Sequence, residues 1–289
     1  MKGGNFGLNP KYGSYRYQTQ PALSPATLPV DIDAAIGYFF HRLAQPPTPI
    51  ARLILPSKDS SPSRRIGILS EKSLHADLKR WYAAPDDRIE TEVDGFVIDL
   101  VRDAELIEIQ TRNLGGMKRK LALLLDAHPV RLVHPIAAEK WIVRQTADGE
   151  EIGRRRSPKR GRFFDFFAEL VRIPHLLPHT NLTLEALLTR EEEIRRDDGK
   201  GSWRRKGWSI HDRRLLEVTE RRTFSTVADY LALLPTGLPS PFTTRDLATS
   251  AKIPLRLAQR AAYTLRQLNG LTIVGKQANA LLYEIVDLS

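Results

Sequence analysis

Three polar side chains stand inside an otherwise apolar stretch of this chain, VDGFVIDLVRDAELIEIQT: Asp99, Glu108 and Gln110. Two carboxylates and an amide so close in sequence can hold a hard cation and orient a water. Mg²⁺ takes oxygen ligands and is commonly bound through one or two carboxylates, and a Gln amide both donates and accepts hydrogen bonds. Carboxylates placed among apolar residues are costly unless something neutralises them, and a divalent cation would do so.

The elements that would position these groups are legible in the periodicity. In VDGFVIDLV, Phe96, Ile98 and Leu100 fall on one face and Val97, Asp99 and Val101 on the other. Asp103-Ala104 can turn the chain, and ELIEIQT then sets Ile107 and Ile109 opposite Leu106, Glu108 and Gln110. Apolar residues on both faces predict central, covered strands. Upstream, LSEKSLHADLKRWYAA predicts a helix from Ser70 with Leu74, Leu78, Trp81 and Tyr82 at helical spacing, and with Glu71 and His75 on one side. Downstream, Asn113 can cap a helix from about Gly115 to Asp126 that carries Lys118, Arg119 and Lys120.

Asp99 followed by Glu108-Ile109-Gln110 on neighbouring strands resembles the PD-(D/E)XK, restriction-endonuclease-like family, over roughly residues 66–145. The resemblance implies a small mixed sheet flanked by helices and metal-dependent cleavage of a phosphodiester, usually in DNA. It implies that Asp99 and Glu108 hold Mg²⁺ or Mn²⁺, with the Ile109 carbonyl as a further ligand. Gln110 would stand where the family usually has Lys, orienting water by hydrogen bonds where Lys brings positive charge. Glu71 resembles the acidic residue that many relatives carry on the helix before the catalytic strands; it equally suits a helix N-terminus through the dipole. His75 reads as a surface or packing histidine. Lys118 would position the phosphate backbone. The structural alternative is a non-catalytic sheet in which Asp99 and Glu108 pair with Arg102, Arg112 or a helix lysine.

At 289 residues the chain has room for two domains, and its net charge of +10 favours a polyanionic partner, nucleic acid or an anionic surface. The absence of cysteine excludes disulfides, Fe–S clusters and thiolate zinc sites. No apolar run reaches the length of a membrane span, and the first residues lack a secretory apolar core, so a cytoplasmic setting is the expectation.

Along the chain we expect a loosely ordered segment over 1–28, a nuclease-like domain over 29–150, a basic loop over 151–162, a helical and hairpin middle region over 163–238 and a winged helix-turn-helix over 239–289. The first domain opens with a helix over 31–44 and a flexible stretch over 56–65. The predicted class is therefore α/β joined to α+β. Arg154, Arg155, Arg156, Lys159 and Arg160 are too densely charged to be buried, so they read as a solvated loop that can contact a nucleic-acid backbone. FFDFFAELVRIPHLL predicts an amphipathic helix, LTLEALLTREEEIRR a helix, and RRLLEVTERRTF an extended segment. Trp203 and Trp208 sit among Arg204, Arg205 and Lys206, a pattern that can stack on bases but reads first as half-buried packing.

Near the C-terminus, Thr244 caps a short helix, Ala251-Lys252-Ile253 turns, and a second helix runs from Pro254 to Leu268 with Leu257, Ala261, Leu265 and Leu268 as its core stripe. Arg256, Gln259 and Arg260 are left to face DNA bases. A protein-contact or dimerising role is the alternative for this unit. The leading expectation is a metal-dependent DNA endonuclease; the others are a catalytically inactive, nuclease-fold DNA-binding regulator and a basic scaffold for RNA or anionic surfaces.

Overall fold

The computed structural model describes residues 73–287, which lie in one unit of the chain. Glu71 and the expectations for residues 1–28, 31–44 and 56–65 fall outside the described residues.

The first half follows the expected order of elements, but the expected faces of VDGFVIDLV are corrected. Ile98 and Leu100 lie in opposite cores and Val101 joins Ile98, because the pairing skips Asp99 and the alternation changes phase there. Helix α1 (Ser73–Tyr82) leads into the meander β1 (Arg88–Val93), β2 (Phe96–Arg102) and β3 (Glu105–Ile109). A tight 3-10 turn at Leu114–Met117 and helix α2 (Lys118–Leu125) then cross to β4 (Val130–Gln145). β1, β2 and β3 pair antiparallel, whereas β4 runs parallel to β3, as a crossover through a helix dictates. The expected Asn113 cap is corrected: Asn113 precedes the turn in a left-handed conformation, and its side chain makes no capping bond.

The sheet continues well past β4. It has seven strands, in the order β1-β2-β3-β4-β6-β7, with β5 (Glu151–Arg156) paired to the second half of β4. β6 (Leu182–Arg196) is parallel to β4 and β7 (Ser209–Phe224) is antiparallel to β6. Thus the segment LTLEALLTREEEIRR is a central strand and not the helix its composition predicts. Its side chains are buried on both faces: Leu184 and Ala186 in one core, Leu187 in the other. That two-sided burial outweighs the intrinsic preference of Leu, Glu and Ala for helix. The expected basic loop is likewise a strand in its first half, with all six residues of β5 exposed.

Helices cover both faces. On one, Leu74 and Leu78 of α1 pack on Leu100, Ile107, Ile109, Val133 and Leu187. α1 also guards the outer edge of β7, where Asp77 accepts the Leu215 N–H and Asp212 accepts from Ser73; an unpaired strand edge is otherwise a site of association. On the other face, Leu121, Leu124 and Leu125 of α2 meet Ile98, Val101 and Leu106. The same core takes in Phe163, Phe164, Phe166 and Phe167 around α3 (Phe167–Leu170), a short turn and helix in place of the longer amphipathic one expected.

After β7, α4 (Val227–Leu231) leads to α5 (Thr244–Ala251), α6 (Leu255–Gln267) and the hairpin β8 (Leu271–Gln277) and β9 (Ala280–Ile285). Thr243, one residue before the cap expected, forms a capping box with Asp246, and Pro254, expected as the first helical residue, stands just before α6 and makes no side-chain capping bond. Leu257, Ala261, Leu265 and Leu268 are all buried in the main core. Arg162 donates to the carbonyls of Ala251 and Lys252, which fastens the α5–α6 turn to the body.

Candidate active site

Asp99 lies where the sheet's regular pairing lapses. The β2–β3 ladder ends at Leu100↔Ile107, which leaves Asp99 and Glu108 just outside it. On the other side the β1–β2 register passes from Ile89↔Leu100 to Thr91↔Ile98, skipping Glu90 and Asp99. Glu90 has φ +48°, a left-handed conformation uncommon for Glu inside a strand. The Asp99 carboxylate fills the gap by accepting the Ile109 N–H at 2.8 Å on Oδ2. Its Oδ1 lies 3.0 Å from His75 Nε2 on α1. His75 is therefore a partner of the candidate site and not merely a surface residue. Burial pushes the Asp99 carboxyl up, but the His75 hydrogen bond and charge, the Ile109 N–H and the Lys79 charge outweigh it and hold it below its ordinary value.

Glu108 has a side chain only 8% exposed and is met by Lys120 of α2 at 2.5 Å. Lys120 also donates to the Val97 carbonyl at 2.6 Å, so the ammonium bridges β2 and β3. Burial foremost, with the Asp99 charge adding to it, raises the Glu108 carboxyl above its ordinary value against the opposing pull of Lys120. Gln110 does not turn toward this pair: its amide donates to the Arg112 carbonyl. Lys118 is exposed and makes no ion pair among the described residues. The cation nearest the carboxylates on α2 is thus Lys120, two residues further along. The sequence placed it in the same basic run, and only the helical phase distinguishes them.

Among the described residues, no group of three or more His, Asp or Glu side chains gathers closely enough to hold a metal ion. What the chain offers is the pair Asp99 and Glu108, a donor set that suits Mg²⁺ or Mn²⁺ only if water or substrate oxygens complete the shell.

The predicted nucleic-acid contacts divide into engaged and unengaged groups. Arg154 pairs with Glu192 and lies over the Trp141 ring at 4.3 Å. Arg156 and Arg160 both pair with Glu139. Arg155 and Lys159 are exposed and make no ion pair among the described residues. On α6, Arg256 and Gln259 are exposed, whereas Arg260 reaches back to the Ala168 carbonyl at 3.4 Å. Trp208 is partly covered, with Arg144 at 5.3 Å from its ring. Trp203 departs from the packing expected of it: it is 83% exposed at the tip of the β6–β7 hairpin.

Fold and site together define a mixed α/β protein whose large sheet, flanked by helices, carries a carboxylate pair at a lapse in strand pairing. A family model described as Domain of unknown function (DUF8091) matches residues 72–225, more than half the chain, and the chain belongs to that family. The matched segment runs from the start of α1 to the end of β7 and so includes every strand of the large sheet. A relative from Treponema pallidum (strain Nichols), described as an uncharacterized protein, is 36% identical over 197 residues, 68% of this chain and 78% of the relative. No solved structure matches.

Proposed function

We propose that this protein is a divalent-metal-dependent phosphodiesterase acting on DNA, with a PD-(D/E)XK-like centre formed by Asp99, Glu108 and Lys120. The observation that carries the reading is the nearness of Asp99 to Glu108 just past the last β2–β3 pair, where the Asp99 N–H and charge both act on the Glu108 carboxyl and Lys120 bridges the two strands. Support comes also from the order of elements, in which a helix, three antiparallel strands, a helix and a strand parallel to the third follow one another.

In this reading Asp99 and Glu108 hold Mg²⁺ or Mn²⁺. When bound, the cation lowers the pKa of a coordinated water and stabilises charge on the scissile phosphate. Lys120 takes over the role that the family gives to the lysine after its Glu: a fixed positive charge near the transferring phosphate. In the metal-free protein that charge rests on Glu108. His75 holds Asp99 in orientation, and Gln110 braces the chain at Arg112 through its amide. The helix-turn-helix and hairpin at the C-terminus act as a winged helix that adds DNA affinity through Arg256 and Gln259.

The close Lys120–Glu108 pair also supports a second reading, a nuclease-fold regulator that binds DNA without cutting it. Mn²⁺ titration followed by electron paramagnetic resonance separates the two. The enzyme reading expects one site that is lost in Asp99→Ala and in Glu108→Gln. No saturable Mn²⁺ site in a protein that still binds DNA would leave the regulator.

A further inference from the structure

Trp203 is the most exposed large apolar side chain among the described residues, 83% open at the turn between β6 and β7. One exposed apolar residue is ordinary on a surface; what sets this one apart is how firmly its turn is built. Gly201 donates to the Gly207 carbonyl at 2.7 Å, and a Cβ on Gly201 would stand 1.9 Å from the Trp208 carbonyl oxygen, so the closure needs glycine. Asp198 accepts the Lys200 N–H on one carboxylate oxygen and the Ser209 hydroxyl on the other. Arg205 donates from its Nε to the Trp208 carbonyl. Lys206 and Gly207 turn the chain back with φ +52° and +84°. The two tryptophans of this turn are treated oppositely: Trp208 is partly covered by Arg144, whereas Trp203 is held in solvent.

The charge beside Trp203 is of one sign and uncommitted. From Gly199 to Trp208 the chain carries Lys200, Arg204, Arg205 and Lys206 and no acid. Of the two acids just before, Asp198 is spent on the turn, which leaves Asp197 alone against them. Lys200, Arg204 and Lys206 are exposed and make no ion pair among the described residues, and Arg204 stands 5.4 Å from the centre of the Trp203 ring. The arginines of β5 differ, since Arg154 and Arg156 are held by Glu192 and Glu139. A rigidly presented ring among free cations suits a partner that alternates anions with flat apolar rings. Single-stranded nucleic acid has that chemistry, because every base offers a π-face and every phosphate a charge. A duplex keeps its bases within the stack, and a lipid surface calls for more apolar area than one side chain.

We propose that the β6–β7 turn is a stacking site for an unpaired base of single-stranded nucleic acid, with Trp203 against the base and Lys200, Arg204 and Lys206 on the flanking phosphates. The site is remote from the carboxylate pair. Glu108 is level with Leu184 through Leu132, and β6 runs on from there to Arg196 at the foot of the turn, roughly 40 Å at the ordinary rise per strand residue. The turn therefore adds affinity without sharing in cleavage, and the proposal goes beyond the catalytic reading: it stands whether or not Asp99 and Glu108 cut.

The test is titration of the full chain in chelator, following probe anisotropy and tryptophan emission. The probes are an oligothymidylate, the same strand with abasic sites in place of its bases, an oligouridylate, a duplex of equal length and phosphatidylserine vesicles. The oligothymidylate should quench the emission and bind roughly tenfold more tightly than the abasic strand, the scale of one base stacked on an aromatic ring. Trp203→Ala should abolish both the quenching and the preference, Trp203→Phe should keep most of the preference, and neither should move duplex affinity. Urea unfolding should be unchanged in both variants, because the side chain is open to solvent, and the comparison of strands needs no variant at all. Equal binding of the two strands by the unaltered protein, or a preference that Trp203→Ala leaves intact, overturns the stacking site. An equal loss of duplex affinity in Trp203→Ala overturns the unpaired base. Binding to the vesicles in preference to the strands, with an emission blue shift that Trp203→Ala removes, assigns the turn to anionic lipid and overturns the proposal as well. Tighter binding of the oligouridylate, still dependent on Trp203, keeps the site and names RNA as its source. A protein that stacks bases but cuts no DNA keeps the site and removes the catalytic reading alone.

Discussion

Lys120 decides how the proposed catalytic centre is to be understood, because it carries the charge that Gln110 lacks. If Lys120 serves the transferring phosphate, Lys120→Ala should lower cleavage by about 10²-fold or more, on the scale of losing one electrostatic stabiliser. Gln110→Ala should cost less than about tenfold, since its amide is spent on the Arg112 carbonyl. Gln110→Lys in the Lys120→Ala background should restore part of the activity. Single-turnover cleavage rates for these variants provide the check, and equal losses at positions 110 and 120 would contradict the assignment.

The two carboxyls differ in a way that titration can read. Glu108 should titrate above its ordinary value because of burial, and Asp99 below because His75, Ile109 and Lys79 outweigh burial. The depressed Asp99 contributes stability that is present above its unfolded pKa and lost as pH falls through its folded one. The raised Glu108 has the opposite sign: its contribution is present below the unfolded pKa and lost as pH rises through the folded one. Carbon-13 NMR of the side-chain carboxyls in metal-free protein should show the two transitions in that order. Added Mg²⁺ should move the Glu108 transition down; no movement would argue against a metal there.

At the scale of elements, β2 could be read as a strand but not by its faces, since Ile98 and Leu100 enter opposite cores, whereas β3 and the C-terminal helices could be read in full because local pattern and tertiary burial agree there. Asp99 and Glu108 stood out for the same reason: they interrupt a clean period of two. β6 could not be read, because TLEALLTREEEIRR is built from helix formers and its strand state depends on partners far away in the chain. Glu185, Glu191 and Glu193 are all buried in it, and no local rule signals that Lys140, Arg195 and Arg213 will meet Glu193. Arg154 and Arg156 err in the other direction: their charge density predicts a loop, whereas an exposed strand solvates its cations just as well.

Two substitutions test these elements. Leu184→Ala, at a position with no exposure in the central strand, should destabilise by about 2–5 kcal/mol. Thr243→Ala removes the hydroxyl that caps α5 and should cost about 1 kcal/mol. Urea unfolding measures both. A Leu184→Ala effect below that of the cap would mean that β6 is not a core strand.

At the scale of the molecule, the charge of +10 is not uniformly available to a partner. Arg154, Arg156 and Arg160 are already shared with Glu192 and Glu139. Arg155 is not paired among the described residues. Replacing Arg155 with Ala should therefore reduce the slope of log K against log salt for DNA binding by about 0.9, one phosphate contact. Arg154→Ala and Arg156→Ala should each reduce it less. Binding titrations at several salt concentrations distinguish this graded response from a uniform one. No described helix is long and apolar enough to cross a membrane.

The central claim is that Asp99 and Glu108, with Lys120, form a metal-dependent phosphodiesterase. Its most direct test is cleavage of plasmid and single-stranded DNA by purified protein in Mg²⁺ or Mn²⁺, beside Asp99→Ala and Glu108→Gln. The account predicts cleavage that requires the cation, is abolished by either substitution, and is lost while the variants still unfold cooperatively. Cleavage that persists in both variants, or that continues in chelator, would contradict it.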